Sequence, residues 1–77
     1  MEDRIVARFR KSAMEEIVMA VRTYEGSEFV DIRTFFGPRG QETRPTKKGI
    51  TIPFEHYREF RKQIDLLDSV VAELGWT

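Results

Sequence analysis

The sequence predicts an α+β fold in which four antiparallel strands are followed by a single C-terminal helix. Residues 16–36 alternate apolar and polar side chains with a period of two, which is typical of half-buried strands. Glycine and proline occur at 26 and at 37–40, where chain reversals are expected. From residue 57 onward, apolar side chains instead recur every three or four positions, which indicates a helix.

The chain has 77 residues, so we expect one domain spanning residues 1–77 with a small core. Cores of this size usually need a disulfide, a metal or a partner chain for support. The absence of cysteine excludes disulfides and thiolate metal sites, and His56 is the only histidine, so we expect no metal and no other cofactor. Oligomerisation is therefore the expected support.

Hydropathy and charge predict a protein that remains inside the cell. No apolar run approaches the roughly 20 residues of a membrane span, and the N-terminal sequence lacks the basic-then-apolar order of a secretion signal. We expect the cytoplasm or nucleoid of a prokaryote, or the nucleus of a eukaryote. The 13 basic and 13 acidic side chains cancel overall, but residues 1–53 hold an excess of basic groups and residues 54–77 an excess of acidic ones.

Two strands are predicted in the first third of the chain. Residues 4–11 alternate weakly and indicate a short strand. Residues 16–24 alternate clearly, and β-branched residues fill their second half, so we favour a strand. Ser12 followed by Glu15 also fits a helical capping box, which leaves residues 12–17 open between a strand and a helical turn.

Two further strands follow, each after a turn. Residues 28–36 alternate again and are predicted to form a hairpin with residues 16–24. The turn "GPRG" at 37–40 then leads into another strand. Pro45 and Gly49 within that strand predict that it is bent or lies at an edge of the sheet.

The helix is predicted to begin at Pro53, which suits a first helical position, and to stop at Gly75. Its main apolar positions follow the spacing of a coiled-coil seam: Tyr57, Phe60, Ile64, Leu67, Val71 and Leu74. Phe54, Leu66 and Val70 widen the stripe beyond that seam. We therefore expect the helix to contact both its own sheet and a second surface, such as another copy of the chain.

With the helix across one face of the sheet, the other face is predicted to be open. The alternation collects aromatic rings and guanidinium groups on that open face: Arg22, Tyr24, Asp31, Arg33 and Phe35. A basic strip arrives beside it: Arg44, Lys47 and Lys48. Unpaired nucleic acid needs this combination, because stacking of a base on a ring contributes about 1–3 kcal/mol and each phosphate carries a charge. The competing interpretation is that the rings are partly buried and the lysines only keep the protein soluble.

Side chains suited to catalysis are sparse. Ser12, Ser27 and Ser69 have no recognisable base nearby in the sequence. Glu55 and Glu59 lie four residues apart among basic neighbours, which favours a solvated face of ion pairs. Neither "GPRG" nor "KKG" has the spacing of a phosphate-binding loop. We therefore expect no enzymatic activity.

The segments "VDIRTFF" and "RPTKKGITIP", joined by a glycine turn and followed by an amphipathic helix, resemble the positive-cofactor-four (PC4) family of transcriptional coactivators. The likeness runs from about Glu16 to Leu74. Members of that family bind single-stranded DNA. The resemblance implies a curved sheet and an obligate homodimer formed through the helix. Together with the coiled-coil seam described above, this predicts that the dimer contacts are Tyr57, Phe60, Ile64, Leu67 and Val71.

The resemblance also implies a role for individual residues on the open face. The DNA contacts that it implies are Arg22, Tyr24, Arg33, Phe36, Lys47 and Lys48, and Arg44 of the basic strip is predicted to join them. Among these, the two rings stack on bases, while the basic side chains meet phosphates and line the groove. Simple alternation places Phe36 opposite to Arg33, so the resemblance requires a bulge near residues 34–36, unless Phe35 takes the stacking role.

Some positions depart from the eukaryotic members of the family. Glu15, Glu25 and Ser27 stand where those members carry lysines, and the long serine- and lysine-rich tail is missing. We therefore expect a compact prokaryotic or viral form that acts in transcription regulation or in DNA replication and repair. Two alternatives stay open: a protein-interaction module that docks an acidic partner peptide, and an RNA-binding module, since no residue obviously reads a 2′-hydroxyl.

Overall fold

The computed structural model describes residues 3–76. Its elements are β1 Arg4–Arg10, β2 Glu15–Tyr24, β3 Ser27–Phe36, β4 Arg44–Pro53, a 3-10 turn Phe54–His56 and α1 Tyr57–Glu73. The four strands pair antiparallel in the order β1-β2-β3-β4, and the helix follows them. The predicted fold class is therefore confirmed.

The start of β2 settles the alternative left open for residues 12–17. β2 begins at Glu15, and residues 11–14 form the reversal that connects it with β1. The backbone N–H groups of Lys11 and Ser12 donate to the carbonyl of Glu15 over 2.9 and 3.2 Å. The capping-box interpretation is wrong, because Ser12 lies in a tight strand connection and not at the start of a helix.

β2 and β3 form an unbroken hairpin because a two-residue turn connects them. Glu25 and Gly26 both have positive φ angles, 49° and 80°, as a type I′ turn requires, and the twist of that turn matches the twist of the strands. Every residue of β2 pairs with a residue of β3. Directly paired residues point to the same side of a sheet, so this register fixes which side chains share a face.

The two faces of the sheet differ in chemistry. The arginine face is formed by Arg8, Glu16, Val18, Ala20, Arg22, Tyr24, Asp31, Arg33 and Phe35. The apolar face is formed by Ile17, Met19, Val21, Val30, Ile32, Ile50 and Ile52. Within residues 3–76 only a few hydrophobic residues are buried: Val18, Ala20, Phe35 and Ile52. The core is small, as expected from the length of the chain.

β4 is bent at the basic strip, as Pro45 and Gly49 predict. Gly49 pairs with Arg33, and Pro45 pairs with Phe35. Residues 46–48 of β4 therefore lie opposite the single residue Thr34 of β3, which makes a bulge. The hydroxyl of Thr46 donates to the carbonyl of Thr34 over 2.7 Å. The same hydroxyl accepts a hydrogen bond from the backbone N–H two residues later over 3.2 Å. The bulge is therefore closed by one side chain.

Gly49 allows β4 to approach β3 closely beside this bulge. A Cβ atom at residue 49 would lie 2.6 Å from the carbonyl oxygen of Ile32 and 2.8 Å from the Cα of Arg33. Both neighbours are backbone atoms, so a larger residue requires the two strands to separate. Glycine is needed here for space and not for an unusual φ angle.

The helix begins later than predicted and ends where predicted. Pro53 ends β4 with a ψ of 149°, and the 3-10 turn separates it from α1, so its assignment as the first helical residue is wrong. At the other end, Gly75 has a φ of 74° and donates to the carbonyl of Ala72 over 3.1 Å. The N–H of Trp76 donates to the carbonyl of Val71 over 3.2 Å, which completes a Schellman motif.

α1 contacts the sheet near β4 and, through the preceding 3-10 turn, near β3. No residue of α1 is buried, and Leu66, Leu67 and Leu74 are exposed. The helix of the single chain therefore does not cover a face of its own sheet, which corrects that expectation. No helix within residues 3–76 is long and apolar enough to cross a lipid bilayer.

Candidate nucleic-acid interface

A buried carboxylate brings two of the predicted phosphate contacts together. Asp31 on β3 is only 4% exposed. Its Oδ1 accepts a hydrogen bond of 2.9 Å from Nη2 of Arg33, and its Oδ2 lies 3.4 Å from Nε of Arg22. Arg33 is two residues further along β3 and therefore points to the same side, whereas Arg22 reaches Asp31 diagonally from β2. One negative charge thus holds two guanidinium groups on the arginine face.

Hydrogen bonds fix the orientation of Arg33. Its Nε lies 3.2 Å from both oxygens of Asp31, and its Nη1 donates to the carbonyl of Thr46 over 2.9 Å. The hydrogen bond to Asp31 raises the pKa of Arg33 above its ordinary value, although partial burial acts in the opposite direction. Arg33 therefore carries its positive charge in a preset orientation, and the β4 bulge contributes to that orientation through Thr46.

Tyr24 presents an exposed ring next to this cluster. It is the last residue of β2, two residues after Arg22, so its side chain points to the same face. Tyr24 is 68% exposed, and the type I′ turn follows it directly. Arg22 itself is also 3.3 Å from the carboxylate of Asp3 near the start of the chain. The arrangement combines a free aromatic surface with partly exposed guanidinium groups.

Phe35 and Phe36, the two rings between which the sequence left the stacking role open, differ in exposure. Phe35 lies on the arginine face but is only 8% exposed, so its ring is buried. Phe36 is 53% exposed. The pairing of β2 with β3 continues without interruption through Phe36, and the bulge lies in β4. Phe36 therefore remains on the opposite side of β3 from Arg33, and no bulge near residues 34–36 of β3 reorients it.

Phe36 belongs to a second region at the open end of the hairpin. It pairs with Glu15 on β2 and with Arg44 on β4. Nζ of Lys48 lies 3.7 Å from Oε2 of Glu15, and Nζ of Lys11 lies 3.9 Å from its Oε1. We call this region, formed by these five residues, the Phe36 corner. Its basic side chains outnumber its one carboxylate.

Tyr24 and Phe36 do not form a common platform. Tyr24 lies at the turn end of the hairpin and Phe36 at its open end, so about 30 Å of strand separates them. Of the rings and cationic groups expected on one surface, Arg22, Tyr24 and Arg33 share a face, whereas Phe36 points to the other side. Lys47 is exposed in the bulge between these two regions.

A second ion-pair cluster on the arginine face was missed by the sequence analysis. Glu16 is buried and accepts a hydrogen bond of 2.8 Å from Nε of Arg8, while Nη1 of Arg10 lies 3.4 Å from its other oxygen. The hydroxyl of Thr43 also lies 3.4 Å from Glu16. In the sequence, Arg8 and Arg10 flank Phe9, which indicates that both arginines point to one side of a strand. Residues 4–11 alternate too weakly, however, to predict which face of the sheet that side belongs to.

Glu16 is held in its ionised form by these neighbours. The hydrogen bond from Arg8 lowers the pKa of Glu16 below its ordinary value, with further lowering by the charge of Arg8 and by hydrogen bonds from Thr43 and Arg10. Burial acts in the opposite direction and is outweighed. A second negative charge is therefore fixed within the arginine face.

The residues implied as dimer contacts lie on one stripe of α1. Tyr57, Phe60, Ile64 and Val71 are half-buried in the single chain, and Leu67 is exposed. A groove of about 610 Å³ lies between the start of this helix and the apolar face, with Met19, Val21, Val30, Phe54 and Tyr57 among its lining residues. Within residues 3–76, no three His, Asp or Glu side chains are grouped closely enough to hold a metal ion.

Comparisons with known proteins support the resemblance seen in the sequence. A family model described as Transcriptional Coactivator p15 (PC4) matches residues 11–63. The chain is also similar to a PC4 homolog from Burkholderia pseudomallei, whose orthorhombic crystal structure has a TM-score of 0.75 at 28% sequence identity and covers 87% of this chain and 90% of that chain. The tetragonal crystal structure has a TM-score of 0.74 at 28% identity and covers 87% of this chain and 98% of that chain. The segment matched by the family model begins after β1.

Proposed function

This chain belongs to the transcriptional coactivator p15 (PC4) family, and we propose that it binds single-stranded DNA as a homodimer, largely without sequence preference. Binding combines base stacking with phosphate pairing and involves neither catalysis nor a cofactor. The protein acts in transcription regulation, or in replication and repair, where unpaired DNA is present.

The observation that carries this proposal is the Asp31 cluster beside an exposed ring. Arg22 and Arg33 offer positive charge on the same face as Tyr24. A phosphate pairs with a guanidinium group, and its neighbouring base stacks on an aromatic ring. Tyr24 is two residues from Arg22 along β2, or about 7 Å, so adjacent parts of one nucleic-acid strand can engage both.

The Phe36 corner is the second proposed contact region. Phe36 supplies an exposed ring, and Arg44 and Lys48 lie beside it. Glu15 offsets part of the positive charge there. Because about 30 Å of strand separates this corner from Tyr24 and Phe36 points to the other side of the sheet, a bound oligonucleotide must run along the hairpin and pass around the β4 edge to reach both rings. Lys47, in the bulge between them, is proposed to contact the phosphates on the way.

Uncovered apolar surface supports the homodimer. α1 buries no residue, Met19 and Ile50 of the apolar face are exposed, and Met19 lines the groove described above. Contiguous apolar surface on a small domain indicates a protein contact. We propose that a second copy covers this surface through the helix, with the contacts predicted from the seam spacing: Tyr57, Phe60, Ile64, Leu67 and Val71.

Fluorescence anisotropy with a labelled oligo(dT), measured at several salt concentrations, tests the binding proposal. If Arg22, Arg33 and the two lysines of the bulge each neutralise one phosphate, the logarithm of affinity falls against the logarithm of salt with a slope of about −3, since each contact to a single strand contributes about −0.7. A flat response to salt contradicts the electrostatic part of the proposal.

Competition with unlabelled nucleic acids tests the choice of ligand. Single-stranded DNA is expected to displace the probe at lower concentration than a duplex of the same sequence, because paired bases offer no free face for stacking. RNA of the same sequence is the second competitor. Tighter binding of RNA than of DNA identifies an RNA-binding module instead, and no binding of any of them leaves the acidic-peptide module as the better explanation.

A further inference from the structure

Arg8 lies on the arginine face but outside residues 11–63, the segment that the family model matches. It pairs with Val18 on β2, and Val18 pairs with Arg33 on β3. Directly paired residues point to the same side, so Arg8 and Arg33 belong to one row across three strands, with their Cα atoms about 10 Å apart. β1 therefore extends the surface that carries the Asp31 cluster.

The environment of Arg8 repeats the construction around Asp31. In each case one buried carboxylate lies between two arginines, so the two guanidinium groups outweigh that buried carboxylate by one positive charge, although Arg22 also lies 3.3 Å from the exposed carboxylate of Asp3. Glu16 corresponds to Asp31, and Arg8 and Arg10 correspond to Arg22 and Arg33. In each case a carboxylate also fixes the direction of a guanidinium group.

The two arginines of this second cluster differ in how much of the side chain is open to solvent. Arg10 is largely enclosed, since its Nη2 donates to the carbonyls of Ala13 and Gly37 over 2.7 and 2.9 Å. The side chain of Arg8 is 51% exposed, and its hydrogen bonds within residues 3–76 all go to Glu16. Arg10 therefore ties the strand connections together, whereas Arg8 keeps an edge of its guanidinium group open to solvent.

We propose that Arg8 is an additional phosphate contact for single-stranded nucleic acid and that Glu16 is its positioning residue. The proposal rests on the proposed function, and it adds a route across the sheet from Arg33 to Arg8. Both hydrogen bonds from Arg8 to the buried Glu16 use one edge of the guanidinium group, so the rest of this half-exposed side chain stays available to a ligand. A guanidinium group pairs with phosphate through two parallel hydrogen bonds, and orienting it beforehand lowers the entropy lost on binding.

The test compares Arg8→Gln with wild type in the oligo(dT) anisotropy assay. The variant is expected to reduce the magnitude of the salt slope by about 0.7, the share of one phosphate contact, and to weaken binding about fivefold at 0.1 M salt. Arg61→Gln is the matched control. Arg61 has a side-chain exposure of 49% and one carboxylate partner, Asp65 at 3.4 Å, but it lies on α1 away from the arginine face. It is expected to bind as wild type does.

The outcomes separate this proposal from the one on which it rests. If wild type binds with the expected salt slope, and Arg22→Gln reduces that slope while Arg8→Gln does not, the Arg8 contact is refuted and the proposed function stands. If wild type itself binds no single strand, the proposed function fails and this contact fails with it.

A measurement on the wild-type protein avoids any effect of the substitution on folding. The Nε–H resonance of Arg8 is followed by NMR while oligo(dT) is added, together with those of Arg33 and Arg61. Arg8 is expected to shift in parallel with Arg33 while Arg61 stays in place. A shift of Arg33 without one of Arg8 overturns the proposal.

Discussion

Asp31 places a negative charge in the middle of a face that is proposed to bind a polyanion. Its contacts explain how this arrangement favours binding. The carboxylate holds Arg22 and Arg33 in place, and the pair still outweighs it in charge. Guanidinium groups that are already oriented lose less conformational entropy when a phosphate arrives. In the proposed complex, Asp31 thus offsets part of the electrostatic attraction to phosphate but lowers the entropic cost of binding.

Asp31→Asn is expected to destabilise the fold by roughly 1–3 kcal/mol, because the substitution leaves two partly buried guanidinium groups without their anionic partner. Urea unfolding measures this difference. The control is Asp3→Asn, which removes the exposed partner of Arg22 and is expected to change stability by less than about 0.5 kcal/mol. Equal effects of the two substitutions would show that Asp31 does not organise the cluster.

Tyr24→Ala is expected to lose about 1–3 kcal/mol of single-strand binding, because it removes a stacking surface and no charge. The salt slope of the anisotropy assay should therefore stay unchanged. Thermal unfolding should also stay close to that of wild type, since the ring is largely exposed. Tyr24→Phe keeps the ring and serves as the control. If Tyr24→Ala binds the oligonucleotide as tightly as wild type does, the ring of Tyr24 does not contribute to binding.

The pH dependence of stability is expected to report on Glu16. Its pKa in the folded protein is lowered from 4.5, chiefly by the hydrogen bond from Arg8. A carboxyl group whose pKa is lower in the folded state stabilises the fold above its unfolded value, and this stabilisation is lost as pH falls through the folded value. Urea unfolding at a series of pH values below about 5 should therefore show a shallower decline for Glu16→Gln than for wild type. Parallel curves would contradict this assignment.

The residue-scale predictions from sequence succeeded where only strand alternation was needed. Alternation placed Arg22, Tyr24 and Arg33 on one face, since it depends on the local backbone alone. Alternation gives no information on how deeply a side chain is buried. Phe35 was therefore counted among the open-face residues although it is buried. Glu16 was missed because its partners come from another strand, whose register is set by pairing and not by its own sequence.

At the scale of elements, β4 has the largest influence on the proposed interface. Its bulge at residues 46–48 exposes Lys47 and presents the carbonyl of Thr46 to Arg33. Proline and glycine in the sequence predict a bend in this strand. They do not predict its size, because the bulge is closed by the hydroxyl of Thr46 on Thr34, across the strands.

Gly49→Ala is expected to destabilise the fold by about 1–3 kcal/mol, as insertion of a methyl group into a filled space generally does. The added carbon would lie 2.6 Å from the Ile32 carbonyl oxygen, so β4 must move away from β3. Thr51→Ala, on the same strand at an exposed position, is the control. Chemical-shift changes along residues 31–33 should accompany the loss of stability measured by urea unfolding. Unchanged stability would show that the strands separate without cost.

The whole molecule exposes apolar surface on both its sheet and its helix, so its stability is expected to depend on association. The apolar spacing of α1 predicted the stripe, because spacing is local to the helix. The position of the helix beside the sheet was not predictable in this way, because it depends on which surface, in the same chain or in a partner, covers the stripe.

Ile64→Glu together with Leu67→Glu is expected to unfold the protein, because a core this small has little stability to lose when its partner is removed. Circular dichroism and sedimentation velocity measure folding and association on the same samples. Lys62→Glu together with Gln63→Glu, at exposed positions of the same helix turn, controls for added negative charge. A folded monomer of the double seam variant would contradict the obligate dimer.

The outer strands β1 and β4 leave one side of their backbone unpaired within the described sheet. Such borders attract strands of other molecules and can start fibrous aggregates. Cationic side chains occur along both: Arg4, Arg8 and Arg10 on β1, and Arg44, Lys47 and Lys48 on β4. Mutual repulsion between like borders, helped by the distorted outline of β4, should keep the protein dispersed at high concentration. The same positive groups that are proposed to attract nucleic acid thus also discourage self-stacking.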